Sequence, residues 1–138
     1  RSADLILKKQ NFKINKNNKS IIDNLKFNKE LGYRSKKILE KGKLDEFAEI
    51  LNEQWDCKLH RSPETINSRI KFLYELGLKY GASGGKLVGA GGGGFLLFTS
   101  KEGDKDNLVS KLISNNMTVV PFKSSNCGTK IIYSEEPA

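Results

Sequence analysis

Chemistry-bearing residues that organise small folds are scarce in this 138-residue chain, which has two cysteines, Cys57 and Cys127, and one histidine, His60. The cysteines lie far apart, with no second Cys or His at ligand spacing, so neither a disulfide framework nor a zinc site organises the fold. Two reduced thiols in a cytoplasmic protein are expected. No apolar run approaches the ~20 residues that a membrane-spanning helix needs. The opening Arg1-Ser-Ala-Asp4 lacks the basic, apolar and small-residue succession of a signal peptide. It also lacks an initiating Met, so the chain is expected to be a piece of a longer product. No internal repeat is visible.

The chain is rich in positive charge, with a net +8. Lys and Asn crowd residues 8–30, a compositional bias as much as a binding arm. Charge alone admits a solvated face, a phosphorylated small molecule or nucleic acid. A nucleic-acid surface interleaves cations with exposed aromatics. Here Phe47, Trp55, Phe72 and Tyr80 mostly fall on the apolar stripes of helices, so neither nucleic acid nor membrane is expected as a partner. A hydrophobic fraction of 37% and a charged fraction of 29% fit one soluble globular domain over residues 1–138.

Residues 1–10 read as the end of a helix and residues 11–18 as a polar connection. From Ser20, Ile21, Ile22, Leu25, Leu31, Ile38 and Leu39 recur at helical spacing, and Gly42 is placed to cap that helix. Leu44, Phe47, Ala48, Leu51, Trp55 and Leu59 form a second stripe, with Asp45 and Glu46 in the first turn. A third helix is predicted to begin at Pro63, with Ile66, Ile70, Leu73, Leu76 and Tyr80 inward and Gly81 closing it. The pattern then changes. Residues 86–88 and 95–99 read as strands, 104–115 as a helix, and 118–122 and 129–133 as two further strands. Pro121 suggests an edge position, and residues 134–138 a frayed tail. The class is therefore α+β, three to four helices on a small four-stranded, mostly antiparallel sheet.

Eight of the thirteen glycines lie between positions 81 and 94. Glycine costs conformational entropy in ordered structure, so such clustering calls for a use of bare backbone. Successive N–H groups without Cβ atoms can converge on an anion. A flexible linker is the alternative, but this run is bracketed by Lys86-Leu-Val88 and Phe95-Leu-Leu-Phe98, so an ordered binding loop is expected. It is not a P-loop: the spacing from Gly81 to Lys86 is one residue short, and Leu87 stands where a hydroxyl is required. Gly89, Gly91 and Gly94 formally meet the dinucleotide fingerprint, yet a strand follows where that fingerprint must open a helix.

The stretch Gly81-Ala-Ser-Gly-Gly-Lys-Leu-Val-Gly-Ala-Gly-Gly-Gly-Gly-Phe95 resembles the third, C-terminal signature of the galactokinase/homoserine kinase/mevalonate kinase/phosphomevalonate kinase (GHMP) superfamily. Arg1-Ser-Ala, Gly42-Lys-Leu-Asp-Glu-Phe47 leading to Glu53-Gln-Trp55 and Lys58, and Val120-Pro-Phe-Lys123 through Gly128 to Ile131-Ile-Tyr133 resemble its D-glycero-D-manno-heptose 7-phosphate kinases. The resemblance implies a GHMP kinase C-terminal domain with ferredoxin-like elements, and transfer of the γ-phosphoryl of ATP to the anomeric hydroxyl of a heptose 7-phosphate. It also implies that ATP and Mg²⁺ are held mainly by an N-terminal domain carrying a Pro-x-Gly-Leu-Gly-Ser-Ser-like loop. No such loop occurs in these residues, so the N-terminal kinase domain is the expected partner, and no catalytic or metal residue is assigned in this chain. A non-catalytic anion-binding or regulatory remnant is the alternative, as is a GHMP kinase for another small molecule.

Within this frame the tip Gly89-Ala90-Gly91-Gly92-Gly93 is the expected source of main-chain donors to phosphate. Ser83, Gly84 and Gly85 lead into it, with Ser83 either a hydroxyl donor to substrate or a structural helix-end serine. Lys86 either faces the cleft as a phosphate ligand or faces solvent. Trp55, Lys58 and Arg61 recur at three-residue spacing, either cradling sugar and phosphate or divided between core and surface. His60 is expected to serve a helix end rather than catalysis.

Overall fold

The computed structural model describes residues 3–16, 18–122 and 127–129. The elements are α1 (Ala3–Asn15), α2 (Lys19–Glu40), α3 (Leu44–Arg61), a 3-10 turn (Pro63–Thr65), α4 (Ser68–Lys79), β1 (Ala82–Leu87), β2 (Leu96–Ser100) and α5 (Lys105–Ser114). Asn18 opens α2 in an extended conformation, its side-chain oxygen accepting from the Ile21 N–H at 3.2 Å. Gly42 closes it as expected, at φ 68°. The Gly42 N–H donates to the Leu39 carbonyl and the Lys43 N–H to the Ile38 carbonyl, both at 3.1 Å. That pair of bonds is a Schellman closure.

The predicted helix start at Pro63 is corrected. Pro63–Thr65 makes one 3-10 turn, and α4 begins only at Ser68, where the Asn67 side-chain oxygen accepts from the Ile70 N–H at 2.9 Å. Proline merely tolerates a first turn, whereas asparagine satisfies one of its orphan donors, so the asparagine sets the boundary. Thr65 is thereby left in the turn, 1% exposed.

α3 is the central element because it is apolar on two sides. Ala48, Trp55 and Leu59 face β1 and α4, while Ile50 and Cys57 face α2, where they meet Leu31 and Ile38. On the α2 side, the Arg34 guanidinium donates two parallel bonds to the Glu53 carboxylate, both at 2.9 Å. Trp55, Ile66, Ile70, Tyr74 and Leu87 form the main cluster, and Ala82, Leu108 and Leu112 a second one under α5. Leu44, expected inward, is 65% exposed at the helix start.

β1 and β2 pair antiparallel from Ala82↔Ser100 to Leu87↔Leu96, with a register shift at Ala82/Gly84 that makes Ser83 an extra, bulged residue. β1 starts four residues before the predicted strand. The sheet has two strands among the described residues. The four-stranded expectation finds no support there: residues 118–122 take no strand conformation, and Val120 and Phe122 are exposed without a ladder partner. Residues 130–133, most of the fourth predicted strand, lie outside the described residues, as do 134–138. The α+β class stands. No helix is long and apolar enough to cross a membrane among the described residues.

Candidate anion-binding site

The glycine-rich stretch divides into two parts with different physics. Its first part is strand. A Cβ on Gly84 would stand 2.1 Å from the Ala48 carbonyl oxygen, and one on Gly85 2.6 Å from the Phe98 ring. These positions are glycine because α3 and Phe98 close on the backbone of β1. Ser83, Gly84 and Gly85 thus sit in the sheet, on the strand that leads to the tip.

The second part, residues 88–95, is the loop. Gly89, Gly91, Gly92, Gly93 and Gly94 have φ of 77°, 101°, 78°, 152° and 102°. L-residues rarely adopt that backbone, so glycine is required at the tip rather than merely tolerated. Ala90 is the one residue among them with a side chain. Space around Gly89 and Gly93 is open on the side where a Cβ would stand. The loop is nevertheless tied down. The Val88 N–H donates to the Phe95 carbonyl at 2.9 Å, closing its base, and the Gly92 N–H donates to the Thr65 carbonyl at 2.7 Å. Gly91 lies so close to Thr65 that a Cβ there would come within 2.7 Å. The Lys58 ammonium donates to the Gly89 carbonyl.

Lys58 reaches the tip, and two further cations, Arg61 and Lys86, lie near enough to act on its charge. Lys58 is half-buried; desolvation first, then the Arg61 and Lys86 charges, push its pKa down to about 8. Lys86, also half-buried, donates to the Gln54 side-chain oxygen, and burial lowers its pKa. Arg61 donates to the Asn24 side-chain oxygen at 2.8 Å, and its buried Nε has no partner among the described residues. All three cations bond neutral oxygens. Among the described residues no carboxylate lies within ion-pair distance of any of them. An accumulation of uncompensated positive charge beside a partly exposed glycine tip suits an anion.

The expected edge of Trp55, Lys58 and Arg61 is split by helix geometry. Each three-residue step turns roughly 60° short of a full circle, so the first and last lie about 120° apart. Trp55 turns into the core, 5% exposed and stacked on Tyr74 at 3.8 Å, while Arg61 turns toward α2. Lys58, between them, reaches the loop. His60, in the last turn of α3, bonds the Asp56 carbonyl oxygen at 2.8 Å. Two residues that pattern reading passed over complete the frame. One is Thr65; the other is Asn52, whose side-chain oxygen accepts from the Gly85 N–H at 3.0 Å and the Tyr74 hydroxyl at 2.8 Å. Its amide also donates to the Ser83 carbonyl at 3.3 Å, so one side chain fixes β1 to α3 and α4. Burial pushes the Tyr74 phenol up to about 12, so it stays a donor to Asn52 at any ordinary pH.

Comparison with known proteins agrees with this architecture. Residues 35–118 match the family described as GHMP kinases C terminal. The match covers more than half of the chain, which therefore belongs to the GHMP kinase family as its C-terminal domain. It is 35% identical over 85 residues to the bifunctional fucokinase/GDP-fucose pyrophosphorylase of Arabidopsis thaliana, covering 62% of this chain and 8% of that protein. It is 31% identical over 97 residues to the D-glycero-alpha-D-manno-heptose 7-phosphate kinase of Campylobacter jejuni, covering 70% of this chain and 29% of that protein. Both relatives are sugar kinases by name, and the chain spans less than a third of the length of either.

Proposed function

We propose that the chain forms one wall of the active-site cleft of an ATP-dependent sugar-phosphate kinase. The acceptor we assign is the anomeric hydroxyl of D-glycero-D-manno-heptose 7-phosphate. The observation that carries this reading is the left-handed tip Gly89–Gly93 bonded by Lys58, whose ammonium also feels the charges of Lys86 and Arg61, with none of the three neutralised by a carboxylate among the described residues. Phosphoryl transfer is mostly positioning and charge stabilisation, and a preorganised array of N–H donors and cations supplies both. The main-chain donors of the tip, Ala90 included and the Gly92 N–H excepted because Thr65 takes it, face phosphate oxygens. Lys86 and Arg61 hold anionic charge beside them, while Ser83, Gly84, Gly85 and Trp55 back the wall. This donor set does not suit a divalent cation, which needs oxygen ligands, so Mg²⁺ is assigned to residues of the N-terminal domain.

The heptose phosphate is favoured over an uncharged sugar because a substrate carrying its own phosphate uses more of this positive charge. ADP release by a parent protein containing both domains tests it. Turnover is expected with heptose 7-phosphate and none with L-fucose, and the 138-residue chain alone should be inactive. Turnover on fucose but not on the heptose phosphate would refute the acceptor. Sustained turnover by the chain alone would refute the division of labour.

A further inference from the structure

A loop with five glycines among residues 89–94 has more backbone freedom to lose than any other stretch of this chain, yet it takes one defined course. The residues that tie it belong to one bracket. The Ser62 N–H donates to the Lys58 carbonyl at 2.9 Å, and the Ser62 carbonyl accepts from both the Thr65 N–H at 2.9 Å and the Thr65 hydroxyl at 2.7 Å. Ser62 and Thr65 are 6% and 1% exposed, so water does not compete for these bonds. From this bracket two groups reach across to the loop: the Lys58 ammonium to the Gly89 carbonyl, and the Thr65 carbonyl to the Gly92 N–H. Thr65 also fills the space beside Gly91.

We infer that Lys58 is a positioning residue: with Thr65 it forms a two-point latch that holds Gly89–Gly92 in its left-handed course before any ligand arrives. Its consequence for catalysis rests on the proposal that the tip is a wall of the kinase cleft. The latch itself is measurable without nucleotide or sugar, so the two ideas fail separately. A lysine that served only as a phosphate ligand would leave the empty loop unchanged on removal. A latch would not. The charged groups facing Lys58 are Arg61 on its own helix and Lys86 on β1, both positive. Neutralising Lys58 therefore removes the charge assistance from its bond to Gly89 without being offset by a nearby carboxylate.

NMR on the 138-residue chain without ligand tests the latch. In Lys58→Met, amide exchange at Gly92 should rise about ten-fold, while β1 and α4 amides stay within about two-fold of wild type. Lys58→Arg, which keeps a cationic donor, should restore most of the protection. In wild type the Gly89 carbonyl carbon, followed by carbon-detected spectra, should titrate with a midpoint of about 8. That titration should vanish in Lys58→Arg. Unchanged Gly92 exchange in Lys58→Met, with α3 and α4 still protected, overturns the inference. If Lys58→Met loses protection everywhere, the wild-type titration decides, and a Gly89 carbonyl resonance flat from pH 6.5 to 10 overturns it equally.

Discussion

Lys58 holds a proton that its surroundings disfavour, since burial and two like charges bring its pKa from the ordinary 10.5 to about 8. Between those values the unfolded chain binds a proton that the folded chain does not, so this residue makes stability rise with pH across the window. Below about pH 8 the charged form opposes folding. A bound anion reverses the preference, and sulfate, whose charge is constant above mild acid, is the suitable probe. Sulfate should bind the chain several-fold to about ten-fold more tightly at pH 7 than at pH 9.5. Calorimetric titration giving the same affinity at both values would contradict an anion site at Lys58. In Lys86→Met, sulfate affinity should fall several-fold with the fold intact. Asn52 works through neutral bonds instead. Asn52→Ala leaves the Gly85 N–H and the Tyr74 hydroxyl without their acceptor and should cost about 2 kcal/mol in urea unfolding.

At the level of elements, the close approach of α3 to β1 makes a sharp contrast between two glycines. Gly84→Ala drives a Cβ into the Ala48 carbonyl oxygen, which belongs to a helix backbone and cannot move aside. Overpacking of this kind costs about 3 kcal/mol or prevents folding. Gly32, inside α2, has nothing within 4 Å of the equivalent position. Gly32→Ala should stabilise the chain by about 0.5–1 kcal/mol, read as a higher urea midpoint with an unchanged slope. The same pair shows which parts of the fold were legible in the sequence. The α2 and α3 stripes, apart from the exposed Leu39 and Leu44 at their ends, the Gly42 cap and the loop tip follow from local pattern, because local chemistry decides them. β1 does not, since Ala82-Ser83-Gly84-Gly85 has weak strand propensity and becomes strand only by packing on Ala48 and Phe98. Residues 118–122 err the other way, with strand-like composition and no partner strand among the described residues. Thr65 and Asn52 carry no motif; they act on the backbone of residues 27 to 33 positions away, a relation that only tertiary structure reveals.

Across the whole molecule, stability is concentrated around α3 and thins toward α1. Ile50 and Leu51 of α3 are 0% and 1% exposed between α2 and β1. α1 buries no residue at all, and its Leu5, Leu7 and Phe12 are 61%, 52% and 59% exposed. It has a partly buried edge of Ile6, Gln10 and Ile14, an internal Asp4–Lys8 ion pair at 2.8 Å and a Lys13–Glu64 pair at 3.8 Å, the pairs solvent-exposed and worth at most about 1 kcal/mol each. A 13-residue helix is marginal in water without tertiary support. α1 should therefore open independently of the rest, with amide protection factors below about 10, while the slowest α3 amides approach the global unfolding limit. Ile50→Ala should cost about 2–5 kcal/mol and Leu5→Ser less than about 0.5 kcal/mol. Hydrogen exchange at low and high protein concentration is the measurement that matters. Should α1 amides exchange as slowly as those of α3, its apolar residues are covered in solution. Protection that grows with concentration would identify the cover as a second copy of the chain.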